Sequence, residues 1–403
     1  MIERRVALFV MSVSSILVWD VLSLLNFLGG KMQTVLVGLS LVVLIYSCFK
    51  LINDFKFENN YFKFIFIIFL LYESIVILRG WSFSLNDIKT FIQVEYIFWP
   101  FVIPLFVFFN KKIETFGLLF KWIYYVGTFF IVIAVLVPTL LLRRLTAETY
   151  ISLLVPCGFL LLNATYISNK KVNVSFLILF ISMIALTYLA RRSGFITLAG
   201  IVISAYFLNL FNKSKSKIFR LFPLIAIICF FFLFSQFFES SKELLLNKMI
   251  QRISEDTRTG VFDAFFYYLR DHMVFGNGMN SKYFCILWDA EVDGVFFKAT
   301  QYRDIIENGY LQLLLSGGIV HIVIFLLVLL PAAFRGIFMS SNQFVKACGT
   351  VIILRLIDMF AFGIPALNLS YILVWICVGV CYKTSMCKMT NDEIRSEFKK
   401  INL

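Results

Sequence analysis

Apolar runs about twenty residues long recur from one end of the chain to the other, with mostly short polar stretches between them. Such a run, wound as a helix at about 1.5 Å per residue, matches the roughly 30 Å hydrocarbon core of a bilayer. The chain has 403 residues, of which 60% are hydrophobic, 18% aromatic and 15% charged. That is room for about twelve spans. A soluble domain is nearer 25% charged, so a soluble globule is excluded, and 48 Phe against 7 Pro exclude disordered and collagen-like classes. In lipid every span must satisfy its own backbone, and the alternating pattern of barrel strands is missing. The expected fold is therefore an all-α polytopic integral membrane protein of about 12 transmembrane helices.

The expected spans are 6–27, 33–52, 62–79, 96–110, 116–137, 148–164, 172–190, 193–211, 219–238, 308–331, 345–363 and 365–382. An even count and a basic start put both termini in the cytoplasm. Residues 1–238 then hold helices 1–9 with short loops, 308–382 hold helices 10–12, and 383–403 form a cytoplasmic tail. Between them, 239–307 is one long segment on the opposite face. Within it Val261, Phe262, Phe265, Phe266, Leu269 and Met273 recur at helical spacing, as an amphipathic helix lying on the membrane or packed over the bundle mouth.

The net charge of +13 follows from this topology, because basic residues in short loops orient membrane helices. Nucleic acid is not an expected partner. The eight cysteines form no CxxC pair, so neither a zinc site nor a disulfide framework is expected, and Cys285 in the long segment reads as structural. Asp289, Glu291 and Asp293 alternate as oxygen ligands would, but the full calcium-loop pattern is missing, so no metal or other cofactor is expected.

Arginine is distributed unevenly. The face that topology rules keep free of positive charge carries Arg79, Arg143, Arg144, Arg191 and Arg192, against only Lys31 and Lys89 in its loops and span ends. A lysine would serve solubility equally well; the planar guanidinium differs in binding phosphate and carboxylate bidentately. Any one of these arginines is explained by snorkelling, whereas the set points to a pocket for an anionic group. Arg191-Arg192-Ser193-Gly194 stands between two spans with almost no loop. Thr257-Arg258-Thr259-Gly260 opens the amphipathic helix, which runs to His272, and Gly276-Asn277-Gly278 forms a tight turn with glycines able to take positive φ. Glu307-Asn308-Gly309-Tyr310 then leads into a span. His321 inside an apolar run reads as a core or helix-contact histidine, and Arg355 with Asp358 as an i,i+3 pair. Asp20 and Glu73 are the other charges in or near spans.

A Ser/Arg motif between middle spans, a long segment opened by an Arg-led helix, a GxG turn and an Asn-x-Tyr-Leu run leading into a span occur here in that order. In this the chain resembles the O-antigen polymerase and O-antigen ligase superfamily, the Wzy and WaaL proteins of bacterial surface-polysaccharide assembly, and most of all a Wzy polymerase. The resemblance implies a bundle like those of GT-C-type lipid-linked-sugar glycosyltransferases, in the bacterial inner membrane. The long segment would be periplasmic and would cap an outer cavity. It implies a polysaccharide polymerase that joins oligosaccharide repeats carried on undecaprenyl pyrophosphate, by inverting transfer without a metal. Arg191, Arg192 and Arg258, then Arg143, Arg144 and Arg79, would hold the pyrophosphate, and Asn308 and Tyr310 would contact substrate. Members commonly carry a histidine just before the Asn of the last motif. Here Glu307 stands in that place, so Glu307, or else His272, is offered as the base. The implied partners are the lipid-linked oligosaccharides, the bilayer, a chain-length regulator and the flippase of the same route. The rival readings are an O-antigen ligase acting on lipid A–core, a lipid-linked oligosaccharide flippase and a non-catalytic membrane scaffold.

Overall fold

The computed structural model describes residues 4–24, 30–52, 56–81, 84, 99–109, 113–137, 149–188, 192–210, 257–285, 290–292, 295–297, 302–303, 306, 308–364 and 368–400. For some helical residues, Arg192 and Arg258 among them, only the backbone is described. In chain order the helices are α1 (Arg4–Leu24), α2 (Gly30–Ile52), α3 (Asn60–Gly80), and α4 (Trp99–Val102), which continues as a 3-10 turn over Ile103–Phe109. They go on as α5 (Ile113–Leu136), α6 (Leu154–Leu162), α7 (Asn169–Tyr188), α8 (Arg192–Leu210) and α9 (Thr257–Leu269). The last are α10 (Gly309–Phe338), α11 (Gln343–Asp358), α12 (Leu369–Tyr382), α13 (Thr384–Lys388) and α14 (Asn391–Lys399).

Four of the described helical stretches are long and apolar enough to cross a membrane: Asn60–Gly80, Thr115–Leu136, Asn169–Leu186 and Gly309–Phe338. Shorter apolar helices stand beside them. Only a third of the spanning stretch of α3 is buried inside the bundle, while Phe64, Leu71 and Leu78 on the same helix are exposed. An apolar helix with most of its surface outside a protein core requires hydrocarbon around it. The chain is a helical protein embedded in a membrane.

The centre of the bundle is α12. Every residue of it except Ser370 is buried, and it packs on α10, α11 and the 3-10 turn. Trp375 lies among the rings of Phe66, Phe69, Phe325 and Tyr371. Next to this core α3 packs on α10, α8 on α11, and α6 on α7 and α8. Side-chain oxygens of Asn59, Asn308, Asn342 and Asn368 accept bonds from the first-turn amides of α3, α10, α11 and α12, as N-caps do.

The segment before α10 builds a small layer of its own. Helix α9 buries Phe265 and Leu269 with Tyr283, Cys285, Ile306 and the α10 residues Leu314 and Leu315. It therefore packs over the head of the bundle. Two short antiparallel pairs lie beside it: β1 (Tyr283–Phe284) with β4 (Tyr302–Arg303), and β2 (Ala290–Val292) with β3 (Val295–Phe297). These strands were not expected from the sequence. Two residues, Asp293-Gly294, separate β2 from β3, the connection that short hairpins favour.

Candidate active site

Helix α10 is not continuous. Gly318 has φ 69° and ψ −167°, a conformation that side-chain-bearing residues rarely take, so the helix breaks nine residues into its run. A break frees backbone groups that burial would make costly. The turn after His272 satisfies them. Asn277 N donates to Leu315 O at 2.9 Å and Gly278 N to Ser316 O at 2.7 Å, while Ile319 N donates to Met273 O at 2.8 Å and Val320 N to Val274 O at 3.3 Å. The turn comes this close because Gly276 and Gly278 have φ of 63° and 93°, the positive values expected from the sequence. A Cβ on Gly276 would lie 2.6 Å from the amides of Gly317 and Gly318.

The C-terminal end of α3 closes the other side. Met279 N donates to Val76 O at 3.1 Å, Tyr72 Oη donates to Gly317 O at 2.5 Å, and Arg79 donates to Phe275 O and Gly276 O at 2.7 and 2.5 Å. Beneath the turn, Glu73 of α3 meets His321 of α10, with Oε1 and Nε2 3.0 Å apart. Both are buried, at 4% and 0% exposure. His321 Nδ1 lies 3.4 Å from Ser316 Oγ, and the ring of Phe101 stacks on the imidazole at 5.9 Å. The pair lines a small cavity with Ser281, Gln312, Ser316 and Tyr371, which has about 20 Å³ open to the centre of a water molecule. His321 is thus the helix-contact histidine expected, and its partner is Glu73.

Of the residues offered from the sequence, Arg79, His272, Asn308 and Tyr310 stand at this head of the bundle. Arg79 clasps the turn. His272 is exposed in the 3-10 turn Arg270–His272, and its carbonyl accepts from Gly276 N at 2.7 Å. Asn308 Oδ1 accepts from Tyr310 N and Leu311 N at 3.0 and 3.1 Å, and its Nδ2 donates to Phe360 O at 2.9 Å. Tyr310 Oη donates to Leu356 O at 2.7 Å. These bonds dock the start of α10 on the end of α11.

There Arg355 pairs with Asp358 at 2.7 Å, as the i,i+3 spacing indicated, and Thr197 of α8 donates to the same carboxylate at 3.1 Å. The beginning of α8, which carries Arg192, is therefore held at the same head. Arg258 lies in the first turn of α9. Glu307, Arg143, Arg144 and Arg191 lie outside the described residues, as do Asp289 and Asp293. Among the described residues no three of His, Cys, Asp or Glu converge as metal ligands.

Sequence reasoning named Glu73 and His321 separately and did not join them. A usable signal was present, since an ionisable group within a span needs a partner. Residues 177–326 match the profile of the Wzy_C family, described as O-Antigen ligase. No curated protein and no solved structure matches. The matched segment takes in the Arg191-Arg192 motif, Arg258, the GxG turn, the head of α10 and His321; Glu73 and Arg79 precede it. Over this segment the chain is similar to the superfamily of O-antigen ligases and polymerases, whose members are glycosyltransferase-like enzymes.

Proposed function

We propose that the protein is a polysaccharide polymerase of the bacterial inner membrane, with both termini in the cytoplasm and its active site on the periplasmic face. It joins oligosaccharide repeats carried on undecaprenyl pyrophosphate, which have been brought across by a flippase, and a separate regulator sets the chain length. The hydroxyl of one repeat attacks the anomeric carbon of the chain on the donor, and the lipid pyrophosphate leaves with inversion at that carbon. The leaving group needs positive charge, and Arg191, Arg192 and Arg258 are assigned to supply it, with Arg79, Arg143 and Arg144 as second choices. Donors fixed where charge develops are worth roughly 3–4 kcal/mol each in well-studied sites.

The observation that carries the reading is the make-up of the matched segment, in which Arg191, Arg192 and Arg258 come before a Glu307-Asn308-x-Tyr310 motif. Glu307 occupies the place where ligases carry a histidine, which favours polymerase. The family description, O-Antigen ligase, keeps transfer of finished chains to lipid A–core as the second reading. The test uses cells with the intact gene cluster and alanine at Arg191, Arg192, Arg258, His272 or Glu307. Collapse of the surface-polysaccharide ladder to one repeat per lipid is the expected result. Disappearance of even that band, with repeats stranded on the carrier, would instead mean ligase or flippase.

A further inference from the structure

At the foot of the bundle, opposite the broken end of α10, the start of α7 gathers positive charge. The chain leading into it is fixed there: Gln343 of α11 bonds Leu162 O and Thr165 Oγ1, and Tyr166 Oη donates to Asn391 Oδ1 at the start of α14. A helix N-terminus is the positive end of its dipole and favours acidic side chains. The first turn of α7 has no acidic residue and carries Lys170 and Lys171 instead. Its first two amides, those of Asn169 and Lys170, have no partner among the described residues, as helix ends leave them.

Lys171 decides what this charge is for. The residue is only 8% exposed, and its ammonium has no ion pair and no hydrogen bond among the described residues. The charge that acts on it is a like one, Lys121 of α5, the helix packed beside α7. The buried part is the stem. The ammonium is not among the enclosed atoms that lack a partner, so its tip reaches the surface. Orienting a span needs only charge beside it, which the exposed Lys170 supplies. Burying a second lysine near a third costs free energy unless an anion is bound with them.

Position decides where the anion comes from. Asn169 begins the stretch of α7 that is apolar enough to cross a membrane, so the site stands at the level of the lipid phosphates. Lys121 shares its face of α5 with Tyr125 and Val132, one and three turns further on, and both are exposed and so turned to hydrocarbon. A headgroup held by Lys121 and Lys171 would lie above an acyl chain on that face. Choline and ethanolamine headgroups bring a cation of their own and leave the lysines uncompensated. We propose that the start of α7, with Lys171 and with Lys121 beside it, binds the phosphate of an anionic phospholipid from the leaflet at the foot of the bundle. The two ammonium groups and the amides of Asn169 and Lys170 are the donors to its oxygens.

The test titrates the purified full-length protein in detergent with phosphatidylglycerol, counting bound lipid by native mass spectrometry and following thermal unfolding beside it. Lys171→Met removes the charge and keeps the stem. It is expected to weaken phosphatidylglycerol binding about fivefold or more and, without lipid, to melt no lower than wild type, because an uncompensated charge has gone. Lys171→Arg should bind within about twofold of wild type. Lys121→Met should weaken binding about threefold or more, and it decides the assignment where Lys171→Met does not fold. Lys63→Met, exposed in the first turn of α3, should bind as wild type does. Wild-type binding by Lys171→Met or Lys121→Met overturns the proposal, as the lysines then only snorkel. Phosphatidylcholine bound as tightly as phosphatidylglycerol overturns the choice of an anionic lipid. Displacement of the lipid by inorganic phosphate, but not by chloride at equal ionic strength, overturns the lipid source and leaves a site for soluble phosphate.

Discussion

The two ends of α10 solve the same problem in opposite ways. At its foot, Asn342 uses its whole amide: Nδ2 donates to Met386 O and Met389 O at 2.8 and 2.9 Å, and Oδ1 accepts from Val345 N at 2.9 Å. Gln343 beside it donates through Nε2 to Leu162 O and accepts from Thr165 Oγ1, both at 3.0 Å. A capping box of Thr390 and Glu393 starts the last helix there. At the head, the helix is broken, and among the described residues the buried side-chain atoms without a partner include Oε2 of Glu73 and Nε of Arg355, with the indole Nε1 of Trp375 in the core below. The foot's nearest equivalent is a neutral amide oxygen, Asn163 Oδ1. Satisfied polar networks fix a structure, whereas an unsatisfied buried polar atom costs stability.

The contrast can be broken most severely at the head. Gly318→Val places a branched side chain at positive φ against the backbone of Val274 and Phe275. The expected cost exceeds about 3 kcal/mol, seen as loss of monodisperse protein in detergent; a well-folded Gly318→Val protein would mean that the break is not built in. At the foot, Asn342→Ala removes a helix cap and two further bonds, for about 2–4 kcal/mol. The melting temperature should drop while chain lengthening per folded molecule stays at the wild-type value. Arg79→Met releases the carbonyls of Phe275 and Gly276, and the amides of Asn277 and Gly278 should then exchange hydrogen about tenfold faster with little change in melting temperature. Arg395→Ala, which removes an exposed i,i+3 pair with Asp392, should change neither measurement.

What the sequence disclosed follows the range over which each signal acts. The turn at Gly276 and Gly278 was legible because glycine is the residue that takes positive φ cheaply. Arg355 and Asp358 were legible because spacing on one helix decides their meeting. Glu73 and His321 are 248 positions apart, and α3 is apolar on every side, so no periodic stripe showed which face meets α10. The break was hidden for a related reason, since Gly317 and Gly318 interrupt an apolar run without altering its hydropathy. Asp293 stands out as one of three alternating acidic residues, yet with Gly294 it also forms a dipeptide that favours a two-residue hairpin. Glu307 and Arg191 lie outside the described residues, so the structure does not place them.

The way α10 is joined to the rest also orders the making of the protein. The hydrogen bond from Tyr72 to Gly317 spans 245 positions, and the turn over residues 273–279 is synthesised between its two ends. Helix α3 therefore enters the membrane with its carboxyl group unmatched, and the ribosome must pass residue 321 before His321 can meet it. The head is the last part of this region to be completed during biogenesis. A nascent chain arrested before residue 315 should keep the turn open to protease, and one released after α10 should protect it.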